Sequence, residues 1–186
     1  MLSMEPIFSK SALEKLSRHV ALELGASTTY LYFSHVCRRK NLDGYANLFS
    51  EWSKEEHRHA EMILEYLGEV GFPANFSLGV KYGEGEEDST TSLETMLEAS
   101  LELEKEVGKS VYEINKEALS EGDFGLAEFM LKLSKLVPKE INEKETHLQR
   151  VRELGEFLAD DLLKEFLEKM GREKEEIGEK FVFKPL

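Results

Sequence analysis

The chain has 186 residues, with 41% hydrophobic, 10% aromatic and 33% charged, enough to bury one full core and too short for two large domains. Lys+Arg 24 against Asp+Glu 37 gives a net charge of −13, so nucleic-acid phosphate is repelled and cations are attracted. One cysteine, Cys37, excludes a disulfide framework, a four-cysteine zinc site and paired Cys-x-x-Cys knuckles, and a reducing, cytoplasmic compartment is expected.

Helical periodicity begins at about Ser11 and runs to Lys40, with Leu13, Leu16, Val20, Leu24, Tyr30 and Leu31 recurring at threes and fours until the NLDG turn. The opening, MLSMEPIFSKSALEKL, lacks the apolar core of a signal peptide, and no apolar run approaches about 18 residues, so neither export nor a membrane span is expected. A second helix is predicted from about Tyr45 to Val70 on Phe49, Trp52, Ile63 and Leu67, ending at Gly71-Phe72-Pro73. From Gly71 to Ser92 no period holds, and the segment reads as an unusually long connection. A third helix starts at a Ser92 cap, carries Leu93, Leu97, Val107, Val111, Ile114 and Ala118 on one seam, and stops near Glu121-Gly122. The fourth runs from about Phe124 to Leu154 on Leu126, Met130, Leu133, Val137, Leu148 and Val151, with a kink expected at Pro138. After Gly155 a shorter amphipathic helix carries Leu158, Leu162, Phe166 and Met170, and Phe181 to Leu186 form a small apolar tail.

Short turns join the first helix to the second and the third to the fourth, so each pair is an antiparallel hairpin. The long connection can cross the whole length of such a bundle. The expectation is an all-α single domain over 1–186. It comprises a four-helix bundle at about 11–154, with one long crossover between the second and third helices, and a short fifth helix and tail at about 155–186.

Polar residues interrupt each apolar seam at one level. The register 13, 16, 20, 23, 27, 30 turns Glu23 inward, 49, 52, 56, 59, 63 turns in Glu56 and His59, 97, 100, 104, 107, 111 turns in Glu104, and 130, 133, 137, 140, 144 turns in Glu140. Each lies near the midpoint of its helix, and midpoints of antiparallel helices meet. Converging carboxylates without countercharge are very costly, and the first three helices offer no inward Arg or Lys there. Either a cation sits between them or they are protonated. On that basis, replacing Glu23 or Glu104 by Gln is expected to leave the metal-free protein as stable or more so. Carboxylates with one imidazole form a hard, oxygen-rich donor set that suits Fe, Mn or in part Zn, whereas a structural zinc site fits poorly.

With these residues in view, LELGASTTYLY, SKEEHRHAEMI and LEASLELEKEV resemble the ferritin family, whose bundle has one long crossover, over about Ser11 to Leu154. The resemblance implies an Fe(II)-oxidising protein holding two iron ions per subunit and using dioxygen. Glu23 would be a terminal ligand of one iron, Glu56 a bridge between both, His59 the completing ligand of the first, and Glu104 a ligand of the second. Tyr30 would stand beside the centre, hydrogen-bonded to a ligand. It also implies a homo-oligomer, a hollow cage of about 24 subunits or a smaller closed assembly, storing ferric oxide, with no nucleic-acid or membrane partner.

The fourth helix departs from the family pattern. Val137 stands where Gln or Glu is common, Glu140 follows, and no second Glu-x-x-His exists, the nearest candidates being Glu143 and His147 with Lys144 between them. Glu140 is the expected ligand there, leaving the second iron under-coordinated. Three rivals share the residues: a rubrerythrin-like peroxidase with an external electron donor, a miniferritin with irons between subunits, and a non-enzymatic helical interaction module.

Overall fold

Short polar residues set three of the helix starts. The side chains of Ser9, Ser92 and Asp123 accept hydrogen bonds from the amides of Ala12, Thr95 and Leu126 at 3.1, 3.1 and 3.0 Å, satisfying backbone donors that have no partner in a first helical turn. The computed structural model describes residues 8–79 and 91–180, with side chains as far as residue 171. In it α1 spans Lys10–Arg39, α2 Asp43–Glu69, α3 Leu93–Ser120, α4 Phe124–Leu154 and α5 Glu156–Lys180. These match the predicted elements, α5 being the shortest of the five at 25 residues. The apolar tail lies outside the described residues.

α1 turns into α2 through Asn41 at φ 61 and α3 into α4 through Gly122 at φ 76, left-handed positions that Asn and Gly adopt at least cost. The ends of the long connection show its course. Asn75 donates its amide to the Ser17 hydroxyl near the start of α1, whereas the Lys40 ammonium just past the end of α1 donates to the Thr91 carbonyl at 2.7 Å. The connection therefore begins at one end of the bundle and finishes at the other, which makes α2 and α3 parallel. Residues 80–90, its middle, lie outside the described residues. Among the described residues no helix is long and apolar enough to cross a membrane.

α4 continues through Pro138 as one helix. Proline leaves the Ser134 carbonyl without its usual donor. Nearby, the Ser134 hydroxyl donates to the Met130 carbonyl at 2.8 Å and the Asn115 amide of α3 reaches Ser134 Oγ at 3.3 Å. Immediately before Pro138, Val137 comes so close to Gly108 of α3 that a Cβ added there would meet its Cγ1 at 2.5 Å.

α5 docks across the start of α2. Asp160 Oδ1 accepts the Tyr45 amide at 2.7 Å, and a Cβ on Gly44 would meet the Asp160 carbonyl at 2.7 Å. Buried Ala159 and Leu163 join the core there.

The core falls into two apolar clusters. One holds Tyr30, Phe33, Phe49, Trp52, Leu97 and Leu148; the other holds Leu16, Val20, Ile63, Val111, Met130 and Leu133. Each such fully buried side chain contributes about 1.5–3 kcal/mol. Between the clusters, on all four bundle helices, lie Glu23, Glu56, His59, Glu104, Glu140 and Lys144.

Candidate metal centre

Glu23 on α1 and Glu56 on α2 are buried, and His59, one turn beyond Glu56, faces both. His59 Nδ1 lies 3.1 Å from Glu56 Oε2 and 3.7 Å from Glu23 Oε2. One donor atom from each of the three comes within 4.8 Å of the other two, a spacing that could hold a metal ion. Glu23 Oε2 is buried and accepts no hydrogen bond, the state expected of an oxygen reserved for a cation. The other oxygen is fixed from behind: Glu23 Oε1 is 2.8 Å from His19 Nε2, whose Nδ1 is 2.8 Å from the Ser110 hydroxyl of α3. Second contacts of this kind orient a metal ligand.

Glu104 takes a different partner. The Tyr30 hydroxyl donates to its Oε2 at 3.3 Å, and the Lys144 ammonium of α4 stands 3.5 Å from its Oε1. Lys144 is 1% exposed and lies over the indole of Trp52, 4.3 Å from its centroid. Glu140 sits nearer the surface, with Oε1 3.8 Å from His59 Nε2, the ring nitrogen opposite the one that faces Glu23 and Glu56. A cleft of about 360 Å³ between α2 and α4 reaches this edge, lined by Glu55, His59, Glu140 and Glu143 among others.

The structure thus brings Glu23, Glu56 and His59 to one point, sets Glu104 beside Tyr30 and Lys144, and leaves Glu140 at the mouth. His147 lies away from the cluster, packed edge-on against Tyr45 and Trp52, and burial pulls its imidazole down to about 4, a neutral core histidine. Glu55 and His57 are exposed. Burial pushes the Cys37 thiol up to about 12, far from a nucleophile's range.

Two residues at the centre were not recognised as part of it from sequence. Position 144 falls on the inward register of the fourth helix, yet a lysine there ordinarily carries its charge back to water. Its role depends on Trp52 and Glu104, which belong to other helices. His19 is four residues before Glu23, the spacing at which helical side chains meet.

Charge at the centre is balanced by Lys144, His59 and protons together. Burial pushes Glu56 up to about 7, aided by the Glu23 charge and opposed by His59. Burial, opposed by Lys144 and aided by the Glu56 and Glu23 charges, takes Glu104 to about 7; burial and the Glu104 charge do the same for Glu140. Burial also disfavours charge on Glu23, but the hydrogen bond from His19 and the nearby His59 imidazole prevail and hold it at about 2. His59 is disfavoured as a cation by burial, yet the Glu23 and Glu56 carboxylates raise it to about 11.

Glu56, Glu104 and Glu140 bind protons more tightly folded than unfolded, so their contribution is present below about 4.5 and is lost as pH rises to about 7. His59 adds a loss in the same sense above about 6.5, while Glu23 below about 4.5 and His147 between about 4 and 6.5 act in the reverse sense but are outweighed by the three carboxylates above pH 5. Thermal melts in chelator should therefore show stability falling between pH 5 and 8, and a saturating divalent metal should flatten that fall by replacing the protons. A metal-free protein that gains stability across this range would refute these assignments.

A family model described as a ferritin-like domain matches residues 13–154. The chain belongs to the ferritin-like family. This ferritin-like chain is 27% identical over 153 residues to a bacterial non-heme ferritin of Staphylococcus aureus strain USA300, the match covering 81% of this chain and 88% of the relative. It is 28% identical over 153 residues, with the same coverage, to the bacterial non-heme ferritin of Staphylococcus epidermidis strain ATCC 12228. The ferritin-like match ends with α4, so α5, from Glu156 on, lies beyond it.

Proposed function

We propose that this chain is a ferroxidase: it takes Fe(II) as substrate inside the bundle and oxidises it to Fe(III) with dioxygen, for storage or detoxification of iron. The observation that carries this reading is the convergence of Glu23, Glu56 and His59, with one carboxylate oxygen held free of any donor, in a ferritin-like bundle. In this reading Glu23 and His59 Nδ1 bind the first iron, Glu56 bridges to the second, and Glu104 and Glu140 serve the second. Two irons per subunit give dioxygen one electron each. The chain supplies position and charge compensation. Tyr30, donating to Glu104, fixes the carboxylate on the second-iron side. The cleft by His59 and Glu140 supports an entry route between α2 and α4.

A net charge of −13 supports an attractive field for Fe(II). The lone, buried Cys37 fits a cytoplasmic, reducing setting. Kinship with bacterial non-heme ferritins supports a closed homo-oligomer, of about 24 subunits or fewer.

The test is anaerobic Fe(II) titration followed by oxygen. Saturable uptake near two ions per subunit, with prompt oxygen consumption and retained ferric product, is expected. No saturable binding would end the reading, and faster turnover with hydrogen peroxide than with dioxygen would move it to a rubrerythrin-like peroxidase.

A further inference from the structure

Among the described residues, Lys144 is the cation that stands on the Glu104 side of the centre. Its side chain is 1% exposed, its ammonium is 3.5 Å from Glu104 Oε1, and that oxygen accepts no hydrogen bond. The contact is one of charge to charge, the relation a metal ion would have with the same oxygen. Aromatic rings also seat the ammonium, with the Trp52 centroid 4.3 Å and the Tyr30 centroid 5.6 Å from its nitrogen. Such faces attract a desolvated cation and do not release it to water without loss. Glu23, Glu56 and His59 bring three donor atoms within 4.8 Å of one another without Glu104 or Lys144.

Resting on the ferroxidase reading, we infer that the Lys144 ammonium occupies the second cation position of the centre, so that one divalent metal binds tightly and a second enters only by displacing the lysine. A divalent ion on Glu104 Oε1 would stand within a few Å of a fixed positive charge in a poorly screened interior, where repulsion is strong. Lysine suits a displaceable occupant: it is a point charge on a flexible stem without arginine's paired, planar hold on a carboxylate. Once the second ion leaves, Trp52, Tyr30 and Glu104 draw the ammonium back. The protein thus keeps Glu104 compensated without a metal.

The experiment is equilibrium titration with Co(II), which needs no oxidant, on the intact wild-type protein and on Lys144→Met and Lys144→Gln, followed by calorimetry and Co(II) visible absorption. The wild type is expected to take one ion per subunit tightly and a second on the order of a hundredfold more weakly. Either variant should bring the second within about tenfold of the first. Two equally tight ions in the wild type would overturn the inference and leave the ferroxidase reading standing. A single ion in both wild type and folded variants would also overturn it, since Lys144 would not be what holds the second away. No tight ion in the wild type would defeat the underlying reading instead.

Discussion

Replacing Glu56 with alanine should abolish the fast phase of Fe(II) oxidation, while Glu55→Ala, one residue away, should leave it largely intact. Glu56 is buried and its Oε2 is 3.1 Å from His59 Nδ1, between the Glu23 and Glu104 sides of the centre. Its loss removes a donor shared by both proposed metal positions. Loss of a residue that merely orients a ligand costs about 10–100-fold, and loss of a shared ligand should exceed that. Glu55 is about half exposed and its carboxylate lies 4.0 Å from Arg58 on the surface. Stopped-flow oxidation kinetics on both variants decide the matter. Equal losses would mean that α2 presents a different face to the centre.

Why Glu56 was legible from sequence and Lys144 was not is a matter of reach. A helical register fixes the direction of Cβ, and for a short carboxylate on an apolar seam that nearly fixes where the charge lies. Glu23, Glu56, His59 and Glu104 follow from their registers alone. A lysine has four methylenes to spend on finding water. That Lys144 stays inside depends on Trp52 and Tyr30, which are adjacent to it only once α1, α2 and α4 have packed. His19 escaped notice for a similar reason, because a histidine on an apolar seam gains its meaning from Ser110 on α3. The fold itself was plainer. Apolar periodicity, the Ser92 cap and the glycine at 122 mark the helices directly, whereas the grip of Asp160 on α2 is a tertiary contact with no local signature.

In the metal-free protein, Glu23→Gln and Glu104→Gln should change stability in different ways. Sequence alone treats both as uncompensated carboxylates, so both replacements should be harmless or stabilising. The structure separates them. Glu23 accepts from His19 at 2.8 Å and faces His59, and these partners hold it ionised down to about 2. Glutamine there loses charge-assisted bonds and leaves His59 with less compensation, at a cost of roughly 2–3 kcal/mol. Glu104 is pushed up to about 7 by burial and by its carboxylate neighbours, so Lys144 offsets its charge only in part. Glutamine keeps an acceptor for Tyr30 and removes the charge, and the Glu140 carboxylate still interacts with Lys144, so stability at pH 8 should hold or rise. Denaturant unfolding in chelator at that pH compares the two. A comparable fall in both would show that Glu104 is as much a structural partner as Glu23.

Metal binding by Glu23, Glu56 and His59 underlies the proposed ferroxidase. The most direct measurement is a crystal structure of the protein loaded anaerobically with Fe(II), with anomalous scattering recorded at the iron edge. A strong peak bonded to Glu23, Glu56 and His59 Nδ1 is expected, with any second, weaker peak on the Glu104 side found only where Lys144 has moved away from Trp52. Iron bound solely at the surface, with these three side chains free of it, would rule out a metal site at the three residues.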